Sequence, residues 1–230
     1  MIVTVGLQNL ARQDRVHRAK LVFVKAFGQL RLKPVFCIGH AVLKSVAARK
    51  GVQLVHMTQN AGKARALAAG IALATGDWLM FIDRDLTGLT QGDLTRLIPP
   101  VLAGQAHTAI SLRRNAPLLW RLIGLDYISG ERVMPKEMLA NHLHQLDRMP
   151  RFGIEVFLNT LWIASACRIA VVRWPEAESP TKTSKHGVSQ GLRGDLGMLR
   201  DIFQTIGAPS AALQILRLLA QRVRPSRRRE

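Results

Sequence analysis

Residues 52–86 read VQLVHMTQNAGKARALAAGIALATGDWLMFIDRDL, and this stretch decides the fold. Positions 52–57 are short and rich in β-formers. Asn60 is placed to cap a helix, because its side chain accepts a bond from an otherwise orphaned N–H. A helix is predicted over about 62–75, where Ala64, Leu67, Ile71 and Ala74 recur at helical spacing. Gly76 is its stop signal. Residues 78–82 are an unbroken apolar run, as in a strand covered on both faces. Asp83-Arg84-Asp85 follows at the carboxyl end of that strand, where open α/β sheets bind their ligands.

On the N-terminal side, residues 2–6 read as a short strand. Residues 14–30 read as an amphipathic helix on Val16, Leu21, Val24 and Phe27. A second strand is predicted at 35–38, and a helix at 41–50 that ends at Gly51. On the C-terminal side, a helix over 90–102 is broken by Pro99-Pro100. A strand follows at 106–112, closed by Arg113-Arg114, then an amphipathic helix at 115–128. Residues 129–132 read as a turn, and a helix starts around Pro135 within 133–141. Another helix at 152–166 precedes a strand at 168–174. Residues 176–194 are polar and loop-like. Helices at 196–206 and 211–223 precede an arginine-rich tail. Strands alternating with helices imply an α/β fold with a mostly parallel sheet flanked by helices. The division is a domain over 1–206, with an N-terminal 1–50 of different character, and a basic amphipathic helix and tail over 207–230.

The 230-residue chain is long enough to bury roughly 70–75% of its unfolded surface. Its 48% apolar content excludes a disordered chain. Cys37 and Cys167 give neither a disulfide framework nor a zinc signature, which points to a reducing, cytoplasmic setting. The most apolar long window, 154–172, is interrupted by Glu155, Asn159 and Arg168, so no membrane span is predicted. No signal-peptide pattern opens the sequence. The net charge of +18 is concentrated at the two ends. Residues 1–50 hold ten Lys or Arg against Asp14 alone, and residues 215–230 hold six arginines against Glu230. Such an excess favours a polyanion: phosphorylated ligands, an anionic membrane surface or nucleic acid. Nucleic acid is the weakest of these, since no helix-turn-helix, RNA-recognition or zinc signature appears and aromatics are only 5%.

Asp83 and Asp85 are the sharpest chemical feature. Two carboxylates one residue apart at a strand end can converge on a hard cation, and Mg²⁺ or Mn²⁺ is held this way together with substrate phosphates. The competing reading is an acidic turn. Lys63 adds a charge to a helix N-terminus that already favours anions. Arg113 and Arg114 end a strand at the same sheet edge, where they can grip a phosphate or simply be solvated.

The order Asn60-x-Gly62-Lys63, Ala74-Thr-Gly76-Asp77 and Asp83-x-Asp85 resembles the core of family 2 glycosyltransferases, which have the GT-A fold. Further segments match in sequence order. Residues 128–139, ISGERVMPKEML, are similar to the family's S-G-x-R segment, Gly153-x-Glu155 to its G-x-E helix start, 168–172 to the strand after it, and 183–187, TSKHG, to a loop closing over the donor. The resemblance covers about 50–205. It departs upstream, where members carry P-x-x-N-E and D-D-G-S strand ends. Here residues 3–9 read VTVGLQN and 35–40 read VFCIGH.

The resemblance implies a nucleotide-diphospho-sugar donor held by Asn60, Lys63, Asp83 and Lys185. It implies a metal on Asp83, Asp85 and His186, with Asp85 and Glu155 as catalytic carboxylates. Arg113, Arg114 and Arg132 are candidates for the acceptor phosphate. Glu155 can equally be the structural partner of an arginine such as Arg132. The likeness is nearest to dolichyl- and polyprenyl-phosphate sugar transferases, whose phosphate nucleophile needs no protein base. A hydroxyl acceptor needs one, with Asp126 and Glu155 as candidates. A lipid acceptor suits a protein lying peripherally on a membrane through its basic C-terminal helix. The alternative is a degenerate member that binds a nucleotide sugar or a partner without turnover.

Overall fold

The structure is a computed structural model. It describes residues 22–28, 31–38, 53–56, 62–83, 86–146, 149, 153–179, 200 and 206–223, with backbone alone for 22–28, 31–38, 53, 54 and 56. The predicted strand at 2–6 and helix at 41–50, and the residues Asn60, Asp85, Lys185 and His186, lie outside the described residues.

Among the described residues seven strands form one sheet, in the order β3-β2-β1-β4-β6-β5-β7. They are β1 (Val22–Gly28), β2 (Arg31–Ile38), β3 (Gln53–His56), β4 (Trp78–Asp83), β5 (Thr108–Arg113), β6 (Arg132–Pro135) and β7 (Ile169–Trp174). β1 runs antiparallel to both β2 and β4, and β6 antiparallel to both β4 and β5. β3 is parallel to β2, and β7 to β5. Five strands therefore share one direction, and two reversed strands are inserted between them. The mostly parallel expectation holds for strand direction, while the neighbour pairings are mostly antiparallel.

The alternation along β4 explains its burial on both faces. Leu79 and Phe81 pack on one side with Leu67, Ile71, Trp120 and Trp162. Met80 and Ile82 pack on the other with Leu97, Val101 and Val133. The first side is covered by α1 (Gly62–Leu73), α4 (Leu118–Ile123), α7 (Gly153–Ala164) and α8 (Ala208–Ala220). The second is covered by α2 (Gln91–Leu97) and α3 (Pro99–Leu102). Thr90 and Asp93 form a reciprocal capping box at the start of α2, and Pro99-Pro100 opens α3 instead of merely ending α2. Two short helices, α5 (Glu137–Ala140) and α6 (Leu143–Leu146), lead toward α7.

Three local expectations are corrected. The amphipathic helix over 14–30 is replaced within the described residues by β1, whose ladder to β2 and β4 outweighs the helical spacing of Val24 and Phe27. The turn expected over 129–132 is a loop that ends at Glu131, and the helix expected around Pro135 starts only at Glu137, as α5, its first residues being taken by β6. Val133 and Met134 there face opposite sides of the sheet, and Pro135, which cannot donate to a ladder, ends the strand opposite Trp78. The helix over 115–128 shortens to α4, because Pro117 precedes it and Gly124 turns left-handed at its end. The helix of the 207–230 segment packs into the same core through Ala211 and Leu218. The chain after it is stitched to β7 by Ile169 N–H to Gln221 and Val223 N–H to Ile169.

Candidate functional site

The carboxyl end of β4, the first turn of α1, the first turn of α7 and the loop before β6 meet at one sheet edge. They line a cleft bounded by Lys63, Asp83, Gly130, Arg132, Ile154 and Glu155. The topology brings these elements together, since β6 runs against β4 and so begins where β4 ends.

Lys63 sits between two carboxylates. Its Nζ donates to Asp83 Oδ1 at 2.7 Å and to Glu155 Oε1 at 2.7 Å. Burial opposes its charge, but Asp83 and then Glu155 outweigh that and hold the ammonium above its ordinary value. Burial likewise pushes Asp83 up, yet Lys63, then Arg113 and Arg132, hold it below the usual carboxylate range. The Lys63 and Asp83 side chains keep 27% and 29% of their surface, so solvent-borne ligands reach them, whereas Glu155 keeps only 6%. Glu155 Oε2 is buried without a hydrogen-bond partner among the described residues, an acceptor left open for a donor. Gly130 closes the other side of Asp83. A Cβ there would lie 2.3 Å from Asp83 Oδ2, so only glycine lets the loop approach the carboxylate.

Behind Gly130 lies a sealed second cluster. Arg113 Nη2 donates to Asp126 Oδ2 at 3.2 Å, and its Nε is 3.5 Å from Glu131 Oε2. Ser111 and Ser129 hydroxyls donate to Glu131 Oε2 at 2.7 and 2.9 Å. Asp126 and Glu131 are wholly buried. Burial raises both carboxyls, with the Arg113 charge pulling the other way.

The residues singled out in the sequence divide accordingly. Lys63, Asp83 and Glu155 come together. Arg113 reaches the sheet edge as expected but is buried against Asp126 and Glu131. Arg114, the next residue, is exposed and pairs with Glu178. Arg132 is fully buried; its guanidinium donates to the Ser129 and Tyr127 carbonyls and to Asn159 Oδ1 and stacks over Trp162. Glu155 thus pairs with Lys63, not with a hydrogen bond from Arg132. Asp126, considered as a base, is sealed behind the loop. Gly130 and Glu131 escaped notice as functional positions, although both lie inside the S-G-E-R segment quoted for the family resemblance. Of the expected metal ligands only Asp83 falls among the described residues. Among those residues no group of three or more His, Cys, Asp or Glu is placed to hold a metal.

The family model for glycosyl transferase family 2 matches residues 40–157, which includes the cleft-forming Lys63, Asp83, Gly130 and Glu155. No curated protein matches the chain. Solved structures of glucosyl-3-phosphoglycerate synthase from Mycobacterium tuberculosis are similar. The complex with UDP is 20% identical with a TM-score of 0.48, covering 81% of this chain and 68% of that one. The complex with Mn²⁺, UDP-glucose and glycerol 3-phosphate is 21% identical at 0.46, covering 80% and 66%. The complex with Mn²⁺, UDP and glucosyl-3-phosphoglycerate is 22% identical at 0.44, covering 74% and 61%.

Proposed function

The chain belongs to glycosyl transferase family 2, and from that premise we propose that it transfers a sugar from a nucleotide-diphospho-sugar to a polyprenyl phosphate or another cell-envelope acceptor, inverting the anomeric centre. The observation that carries the reading is the Lys63 ammonium bridging Asp83 and Glu155 at 2.7 Å each. It joins a carboxylate at the donor end of β4 to one at the start of α7. Asn60, Lys63 and Lys185 serve the donor phosphates, and Arg114 the acceptor phosphate. Arg113 and Arg132 act from behind, through their charge on Asp83.

Asp83, with Asp85 and His186, would hold Mg²⁺ or Mn²⁺, oxygen-rich donors of the kind these ions take. Such an ion supplies charge neutralisation for the departing diphosphate. In the transfer, the acceptor oxygen bonds to the anomeric carbon as the bond to the donor phosphate breaks. The electron pair leaves with the nucleoside diphosphate. A phosphate acceptor arrives ionised and gives up no proton. A polyprenyl acceptor sets the reaction peripherally at the cytoplasmic face of a membrane.

The unpartnered Glu155 Oε2 favours a second reading of the acceptor, a hydroxyl whose proton passes to that oxygen. One assay separates the two. Uridine- and guanosine-diphospho-sugars are supplied with Mn²⁺ and either a polyprenyl phosphate or a hydroxyl acceptor, and transfer is measured for the parent, Asp85→Ala and Glu155→Gln. With a hydroxyl acceptor, Glu155→Gln lowers the rate by about 10²–10⁴; with a phosphate acceptor the rate is kept. Full activity in Asp85→Ala sinks the metal assignment. Nucleotide binding without any transfer replaces the enzyme by a non-catalytic family member.

A further inference from the structure

The helices α4 and α8 are neighbours. Arg222, just past the end of α8, donates through Nη1 to the carbonyls of Ile123 and Gly124 at the end of α4, at 3.2 and 3.0 Å. Tyr127, after α4, donates to Gln214 of α8 at 2.6 Å. Each helix buries one side in the core, Trp120 from α4 and Ala211 with Leu218 from α8. Each turns leucines outward. Leu122 is 75% exposed and Leu216 64%, with Leu118, Leu119 and Leu213 between 42% and 55%. Five large apolar side chains on two adjacent helices are more than the scattered exposure of an ordinary surface.

The charges among them have one sign. Arg121, Arg217 and Arg222 are exposed beside the leucines. Neither residues 114–125 nor residues 202–229 contain an aspartate or glutamate, and the latter end in Arg224 and Arg227 to Arg229. A second copy of the chain laid face to face would set arginine against arginine. An acidic, apolar layer satisfies both features together. We propose that the outward faces of α4 and α8 form a surface that docks the protein on an anionic lipid bilayer, the leucines entering the headgroup–acyl boundary and the arginines meeting lipid phosphates. No helix among the described residues is long and apolar enough to cross a membrane, so this is attachment in the plane of the interface. Docking does not rest on the sugar-transfer reading, and its test needs no activity.

The full chain is sedimented with vesicles of phosphatidylglycerol and phosphatidylcholine, and with vesicles of phosphatidylcholine alone. Binding to the first, weakened by salt and at least roughly tenfold poorer to the second, is the expected result. Leu122→Ser with Leu216→Ser lowers the partition coefficient roughly tenfold with the urea midpoint unchanged, since both side chains are already exposed. Arg121→Gln with Arg217→Gln lowers it roughly thirty-fold, through two lost cations at the lipid surface. Absence of binding to anionic vesicles overturns the proposal. So does a leucine variant that binds as the parent does, which would leave the arginine tail as the whole cause. A concentration-dependent dimer in sedimentation velocity that the leucine variant abolishes, with no vesicle binding, would assign the surface to a second copy instead.

Discussion

Two clusters of opposite charges flank the loop at Gly130. In the cleft, Lys63 holds Asp83 and Glu155, with the first two side chains more than a quarter exposed. Behind the loop, Arg113 holds Asp126 and Glu131, with both carboxylates at zero exposure. Each cluster has one cation and two carboxylates, so composition does not distinguish them. Access does. The cleft cluster keeps its carboxyl below the ordinary range at Asp83 and leaves Glu155 Oε2 open. The sealed cluster has its carboxyls pushed up by burial, and its own unpartnered oxygens, Asp126 Oδ1 and Glu131 Oε1, belong to side chains with no exposed surface. A ligand can compete for the first, whereas the second fixes the loop that shapes it.

The harshest way to break that comparison is Arg113→Met. Removing one member of a buried charge cluster leaves the others uncompensated, at a cost of about 3–5 kcal/mol. Urea unfolding measures it. The pH dependence carries the signature. Asp126 and Glu131 have raised folded-state values, so their contribution is full below the unfolded value and lost as pH rises through the folded one. Without Arg113 those values rise further. The destabilisation is therefore greatest near neutrality and shrinks as the pH falls toward about 4. Asp83, held low, runs the other way: its contribution is present above the unfolded value and lost on acidification. A variant whose destabilisation is flat with pH would show that the sealed cluster is not charged as described.

Gly130→Ala reaches the cleft cluster from the frame side. The new methyl would stand 2.3 Å from Asp83 Oδ2 and 2.5 Å from its Cγ, so the carboxylate must swing away from Lys63. The stability cost is about 1–3 kcal/mol, typical of overpacking. Donor affinity, read by calorimetric titration of a nucleotide sugar, falls by more than the change in stability explains. Unchanged affinity would detach Asp83 from the donor.

Much of the first cluster was legible locally. The apolar run before Asp83 marked a strand buried on both faces, and Lys63 stood at a recognisable helix start. What joins them to Glu155 was not, because that contact spans 92 positions and depends on where α7 lands on the sheet. The resemblance to a family segment puts Glu155 forward, as a carboxylate facing the acceptor or equally as the partner of an arginine such as Arg132, and neither reading names Lys63. β6 was misread because four residues ending in proline give too short a pattern to show a period of two. β1 was misread because its spacing suits a helix, and only the ladder from its neighbours decides otherwise. Gly130 could not be found from sequence on its own, since what requires a glycine there is the approach of a side chain from another strand.

Arg113 and Arg114 make the smallest and sharpest test. They are adjacent, of one type, and both were read as able to grip a phosphate. Alternation at a strand end sends them to opposite sides, but only the tertiary structure says which side is walled by acids. Arg114 is 67% exposed, and its Nε lies 2.7 Å from Glu178 Oε1, a surface pair screened by water. Arg114→Ala is thus expected to cost only about 0–1 kcal/mol in urea unfolding, and less at high salt. Because Arg114 alone of the two can turn toward a ligand, its loss raises the KM for a phosphate-bearing acceptor while sparing that for a neutral one. If Arg114→Ala instead destabilised the fold as much as Arg113→Met, exposure would not be what separates the two clusters, and the division between a usable cleft and a fixed frame would fail at the one point where sequence treats both sides alike.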